Sequence, residues 1–345
     1  VTRTVDLDPS NEQSLLIEAF DALYAKWATP ERVRGAEPVG FDADLWQQLL
    51  QIGALGMGVP VEQGGMGASL LDLELVAERH GRHLAPAPML ESQAAARLLA
   101  RCEGAAASDL LATIMAGEQM VTLALHPVRA ESLTMVPGGS VADVVLALDG
   151  DRVLGVPLAG NRRSVPNLGS LSLSDVLVPA TTMELARGAD ARTVYASAAD
   201  EWMVLMGGAL AGLAQRALEI GVDYVKQREA FGVPIGSFQG VAHPLADSAT
   251  AVDGALLLAR KAAWAGEASP DRSAELAAMS FAFASEAARD ASYRSLHFHG
   301  GYGFMMEYDV QLYFRRAKAW PAVLREPRRT YELVASRRRG WGNGL

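Results

Sequence analysis

Apolar positions recur at helical spacing through the first third of the chain. Between Ser10 and Ala28, the residues Leu15, Leu16, Ala19, Phe20 and Leu23 predict a helix that Ser10 or Asn11 can cap. Pro30 ends it. Residues 42–52 repeat the pattern with Leu45, Leu49 and Ile52. From Gly53 to Gly67 glycine is too dense for a helix interior, so this span reads as a loop with unusual backbone angles. Ser69 then caps a helix through Arg82, and two further helices are expected over about 86–103 and 107–116.

The period changes near Gln119. Short β-branched runs at Met120–Leu125, Val141–Leu148, Arg152–Pro157 and Asp175–Val178 alternate with turns such as Asp149-Gly150-Asp151 and Gly160-Asn161. They predict a small antiparallel sheet. Beyond Asp190 the pattern is helical again and the segments are long: about 197–228, 238–265 and 271–298, then about 307–325 and beyond. Alanine-rich helices of this length suggest a four-helix bundle. The fold class expected is α+β, mostly α. An N-terminal helical domain (1–118) precedes a central β-domain (119–190) and a C-terminal helical bundle (191–345). The basic tail from Arg337 is expected to fray.

Composition narrows the function classes. The 345 residues are 50% hydrophobic and 21% charged, which fits a globular protein and excludes a disordered one. The net charge of −9 demotes nucleic acid as a partner. The single cysteine, Cys102, excludes an internal disulfide and a cysteine zinc cage, and points to a cytoplasmic protein. The N-terminus lacks the apolar core of a signal peptide, and no uninterrupted apolar run approaches the roughly 18 residues of a membrane span.

Two stretches carry candidate chemistry. In Arg228-Glu-Ala-Phe-Gly-Val-Pro-Ile-Gly-Ser-Phe-Gln239 one long helix ends and another begins. A helix N-terminus favours an anion, and Arg228 can clamp phosphate in bidentate fashion. Taken alone, the same stretch reads as a helix hairpin with an arginine on the helix dipole. In His299-Gly300-Gly301-Tyr302-Gly303 the glycines let a ligand approach the backbone, or simply end a helix in a tight turn. The histidines His297 and His299 are two apart, which does not suit a helical metal site. Asp200, Glu201, Glu307 and Glu326 are the carboxylates weighed for acid–base work, and each reads more simply as a solvated helix charge.

Together these pieces resemble the acyl-CoA dehydrogenase family over nearly the whole chain. The resemblance rests on the glycine-rich loop from Gly53 to Gly67, Gly212-Leu-Ala-Gln-Arg-Ala-Leu-Glu219, the Arg228–Gln239 stretch, Ala246-Asp247, His299-Gly-Gly-Tyr-Gly-Phe-Met-Met-Glu-Tyr308 and Arg315-Arg-Ala-Lys318, in that order. It implies FAD-dependent α,β-dehydrogenation of acyl-CoA thioesters, with a carboxylate taking the α-proton. It also implies a flavin shared across a subunit interface, whose ADP half is gripped by the neighbour. The gripping positions match Arg228, Phe231, Gln239, Gly300 and Gly301, with His297 where the family has glutamine.

The departures are as informative. The flavin-facing segment is shortened to Ala124-Leu-His-Pro-Val-Arg-Ala130 and Thr134–Asp143, without the family's threonine and tryptophan. The catalytic glutamate is missing at both positions the family uses, which fall on Leu324 and Trp202. Glu326 and Glu201 lie close by, but one residue on a helix is about 100° of rotation. The resemblance therefore extends to the short subunit of actinobacterial α2β2 enzymes that act on steroid side-chain CoA thioesters. In this reading the chain completes the FAD site of a paralogous subunit, and an electron-transfer flavoprotein is a further candidate partner. The alternatives are a self-sufficient homo-oligomer with Glu201 as base, and a structural helical-bundle protein.

Overall fold

The computed structural model describes residues 7–324 and 327–342. The chain opens with six helices, and the caps explain where they start. Ser10 caps α1 (Asn11–Trp27) in a reciprocal capping box with Gln13. Thr29 caps α2 (Pro30–Gly35), Asp42 caps α3 (Ala43–Gln51), and Ser69 caps α4 (Leu70–Arg82) in a second box with Asp72. The glycine-rich loop holds two 3-10 turns, with Gly53, Gly64 and Gly67 at positive φ. Helices α5 (Met89–Ala100) and α6 (Ala105–Met115) complete the segment.

Seven strands follow: β1 (Val121–Leu123), β2 (Ser132–Val136), β3 (Val144–Asp149), β4 (Arg152–Pro157), β5 (Arg162–Ser164), β6 (Ser174–Leu177) and β7 (Met183–Arg187). They form two sheets, ordered β1-β3-β4-β7 and β2-β6-β5. The expectation of a purely antiparallel sheet needs correcting, because β1 pairs with β3 in parallel, Val121 opposite Val144.

The bundle is built from α7 (Ala189–Gln227), α8 (Gln239–Ala268), α9 (Pro270–Phe298) and α10 (Val310–Ala322). Between α7 and α8 lies a two-residue-strand hairpin, β8 (Glu229–Ala230) and β9 (Val233–Pro234). Close backbone approach locks the bundle to the first helices. An added Cβ on Gly81 would lie 1.7 Å from the Ala209 carbonyl oxygen, and one on Gly212 would lie 1.9 Å from that of Glu78. Helix α7 is long and apolar enough to cross a membrane by length and composition, yet 72% of its apolar window is buried inside the fold, as in a core helix.

The tail departs from expectation. Its described part forms α11 (Pro327–Gly342), which packs on α9, and Arg337 is tied to Asp200 and to the Ala274 carbonyl rather than frayed, while residues 343–345 lie outside the described residues. Glu326 lies outside the described residues.

Candidate functional site

At one end of the bundle α7 stops, α8 starts and α9 stops. Arg228 leaves helical angles (φ −76°, ψ 122°) while its N–H still reaches the Tyr224 carbonyl at 2.9 Å. The Ile235 N–H donates back to the Arg228 carbonyl at 2.8 Å and closes the hairpin. Phe231 (φ +55°) and Gly232 (φ +79°) are its two turn residues, the pair of positive angles that a tight hairpin requires. A bulky residue in that region is strained by roughly 1–3 kcal/mol. Phe231 is also 96% exposed, its ring edge-on to Phe238 at 6.2 Å between centroids. Nothing among the described residues accounts for a strained, apolar, exposed side chain here.

The end of α9 is pinned beside it. The His299 ring stacks on Tyr224 at 3.9 Å and its Nδ1 lies 2.7 Å from the Ser295 carbonyl. That stack fixes the turn at residues 300–304 against the end of α7. Gly300 needs glycine for its φ of +60°. Gly301 has no such angle, and a Cβ there would meet nothing within 4 Å, so packing within the chain does not demand glycine. His297 is exposed and lies against Tyr293. The side chains of Arg228, Gln239 and His297 have no hydrogen-bond or ion-pair partner among the described residues. The structure thus gathers Arg228, Phe231, Gln239, His297, Gly300 and Gly301 on one exposed end. Phe238, Tyr302, Phe304, Met305 and Met306 are also exposed nearby, an apolar surface of the kind another chain covers.

The junction of the N-terminal helices, the sheets and the bundle is different, because it is filled. Trp202 is fully buried, lies 5.8 Å from the Phe281 ring and donates its indole N–H to Glu91 Oε1 at 3.0 Å. Leu324 is buried as well. The loop at 124–127 is closed onto the bundle by His126, whose Nε2 lies 3.0 Å from the Val323 carbonyl, and by the Tyr195 hydroxyl on the Ala124 carbonyl. A cavity of about 50 Å³ remains, lined by Glu91, His80, Met206, Gly138, Arg316 and Trp320 among others. Pockets for ligands and cofactors run to roughly 300–1,000 Å³.

Glu91 is a group the sequence reading missed. Burial pushes its carboxyl above the usual range, against the pull of the Trp202 N–H. Its neighbour His80 is driven down to about 3 by burial, so it stays neutral.

Glu201 stands elsewhere. It is buried between Arg97, whose Nε lies 2.9 Å from Oε2, and Arg101 on Oε1. Burial raises its carboxyl, but the two guanidiniums outweigh that and hold it below the usual range. A carboxylate stabilised in this way is a weak proton acceptor, which argues against the expectation of Glu201 as a base. It lies about 40 Å along α7 from Arg228 at 1.5 Å per residue.

Asp200, beside it, is pushed up to about 6 by burial despite Arg337. A carboxyl raised on folding stabilises the fold below its unfolded value of 3.8, and that contribution is lost as pH rises to about 6. Asp200→Asn is therefore expected to flatten urea-unfolding stability across that window. An unchanged slope contradicts the assignment.

Residues 10–118 match the family profile of the acyl-CoA dehydrogenase N-terminal domain, and residues 197–322 match the C-terminal domain. The chain is 32% identical over 322 residues to the acyl-CoA dehydrogenase IpdE2 of Mycolicibacterium smegmatis, covering 92% of this chain and 96% of that protein. It superposes on a chain of the ChsE4-ChsE5 complex from Mycobacterium tuberculosis with a TM-score of 0.82 and 26% identity, covering 98% of each. It also shares the fold of the Tcur3481-Tcur3483 steroid ACAD, with a TM-score of 0.86 at 24% identity over 96% of this chain and 99% of that one. The chain belongs to the acyl-CoA dehydrogenase family, a family of oxidoreductases whose cofactor is FAD.

Proposed function

We propose that this chain is a partner subunit of an FAD-dependent acyl-CoA dehydrogenase. In this reading it lends the nucleotide-gripping half of a flavin site to a longer paralogous chain in an α2β2 assembly. The observation that carries the proposal is the contrast between the last turn of α7 and the buried stretch around Trp202 further up the same helix. One end offers unpartnered polar groups and a strained exposed Phe231, while the ring-side junction is plugged by Trp202. The exposed end suits the ADP portion of FAD: Arg228 as a cation for the pyrophosphate, Phe231 as an apolar face, Gln239 and His297 as hydrogen-bonding groups, and Gly300-Gly301 as backbone that a ligand can approach. FAD, when bound, supplies the hydride acceptor.

The α-proton would be taken by the partner, since Trp202 and Leu324 stand where the family resemblance places a base in this chain. A bulky acyl-CoA, of the steroid side-chain type, is the substrate class we favour, on the strength of the steroid ACAD whose fold this chain shares. Transfer of electrons to an electron-transfer flavoprotein and a cytoplasmic setting belong to the same reading, the latter supported by the single unpaired Cys102.

Native mass spectrometry of the chain co-expressed with a longer acyl-CoA dehydrogenase paralogue tests the assembly. The expected species is α2β2 with one FAD per αβ pair. A homo-oligomer of this chain carrying its own FAD contradicts it.

A further inference from the structure

Far from the nucleotide end, the first turns of α7 meet the end of α8, the start of α9 and the first residue of α4 around an open crevice of about 540 Å³. That is the size of a small-molecule site. On α7 the lining residues include Arg192, Ala196, Asp200 and Val204, one stripe at helical spacing. Trp202 and the plugged junction lie on the opposite side of the helix, since two residues turn it by about 200°. The crevice is therefore separate from both halves of the flavin question.

Its floor is made of small apolar groups contributed by several helices, Ala196 and Val204 on α7, Ala262 and Gly266 on α8, and Ala277 on α9. A floor built mostly of small side chains, with Leu70 of α4 its one long aliphatic group and no aromatic ring, suits a broad, rigid apolar body. The polar groups are unevenly divided. The Thr193 and Ser273 hydroxyls donate to the carbonyls of Ala189 and Pro270 within their own helices, so what they have left to offer is acceptor capacity, whereas the Ser197 hydroxyl accepts from Arg101 and keeps its O–H as the one hydroxyl donor. Asp200 receives Arg337 on Oδ1 and keeps Oδ2 as another acceptor. The carboxylates are already neutralised, Asp200 by Arg337 and Glu201 by Arg97 and Arg101. Arg192 is the one lining guanidinium, and it has no partner among the described residues.

From this donor and acceptor balance we propose that the crevice binds a hydroxylated alicyclic carboxylate, its rigid apolar face on the alanine and glycine floor, its hydroxyls donating to Thr193, Asp200 and Ser273, and its carboxylate on Arg192. Nothing in this depends on FAD or on a partner subunit, so the two proposals fail independently.

Cholate, kept below its micellar concentration, is the probe, titrated calorimetrically into the full chain. Saturable one-to-one binding is expected. Arg192→Ala should weaken it roughly 10-fold, the loss of one charge-assisted hydrogen bond. Ala196→Trp, at an exposed position where the fold tolerates bulk, should abolish it while leaving the unfolding midpoint without ligand unchanged. Decanoate, flexible and without hydroxyls, should bind at least about 10-fold more weakly than cholate. No cholate binding, binding that survives Ala196→Trp, or decanoate binding as tight as cholate overturns the proposal.

Discussion

Arg228→Ala is expected to lower the affinity of the assembled enzyme for FAD by roughly 10- to 100-fold, the cost of one or two charge-assisted hydrogen bonds. The fold itself should hardly change, because the Arg228 side chain has no hydrogen-bond or ion-pair partner among the described residues and lies exposed where α7 ends. The two readouts separate a ligand role from a structural one. FAD retention after gel filtration should fall with the substitution, while the urea midpoint of the isolated chain should stay within about 0.5 kcal/mol of its original stability, as for other exposed positions. Arg228→Lys should recover only part of the retention, since an ammonium keeps the charge but not the bidentate fork. Full retention of FAD by the alanine variant would remove Arg228 from the site.

Trp202→Ala should instead act on stability, lowering it by about 3–5 kcal/mol, the range for truncating a large buried aromatic. Trp202 has no exposed surface, packs on Phe281 and is the hydrogen-bond donor to Glu91, so the variant leaves both a cavity and a buried carboxyl without its partner. Denaturant unfolding of the isolated chain measures the loss. A change below about 1 kcal/mol would mean that the junction is not packed as described, and that Trp202 does not plug it. The affinity of the assembly for FAD, corrected for folded fraction, should move far less than with Arg228→Ala.

Much of the helical scaffold was legible from local signals. Ser10, Ser69 and Pro270 mark helix starts through side-chain caps and a fixed φ, effects that act within one turn. The sequence places the start of α7 near Ser197 but it lies at Ala189: Gly188 offers no side chain to cap the helix, and the first turns are held by burial of Ala191 and Tyr195, which only the tertiary packing shows. Strand β2 escaped notice because its alternation is broken by Met135 at positive φ and by a register shift between Leu133 and Val136. Strand β5 is exposed throughout and has no apolar residue to betray it. The parallel pairing of β1 with β3 depends on a crossover that local patterning does not encode.

At the candidate site the motif positions were readable because they sit in two short stretches. The fate of Glu201 was not, since its partners Arg97 and Arg101 lie about a hundred residues away in sequence, and only packing of α5 on α7 brings them together. Glu91 was overlooked for a related reason. In the first turn of α5 it resembles an ordinary solvated charge at a helix N-terminus, and Trp202 on α7 is what buries it. Its position in the run Met89-Leu90-Glu91, among apolar neighbours, was the available signal.

The visible absorbance of this chain, expressed by itself with excess FAD and then desalted, goes most directly to the central claim. A colourless protein that turns yellow only when a longer paralogue is present is the predicted result. Stoichiometric flavin on the isolated chain would mean that it seats the reacting ring with its own residues, and would contradict the division of the site between two subunits.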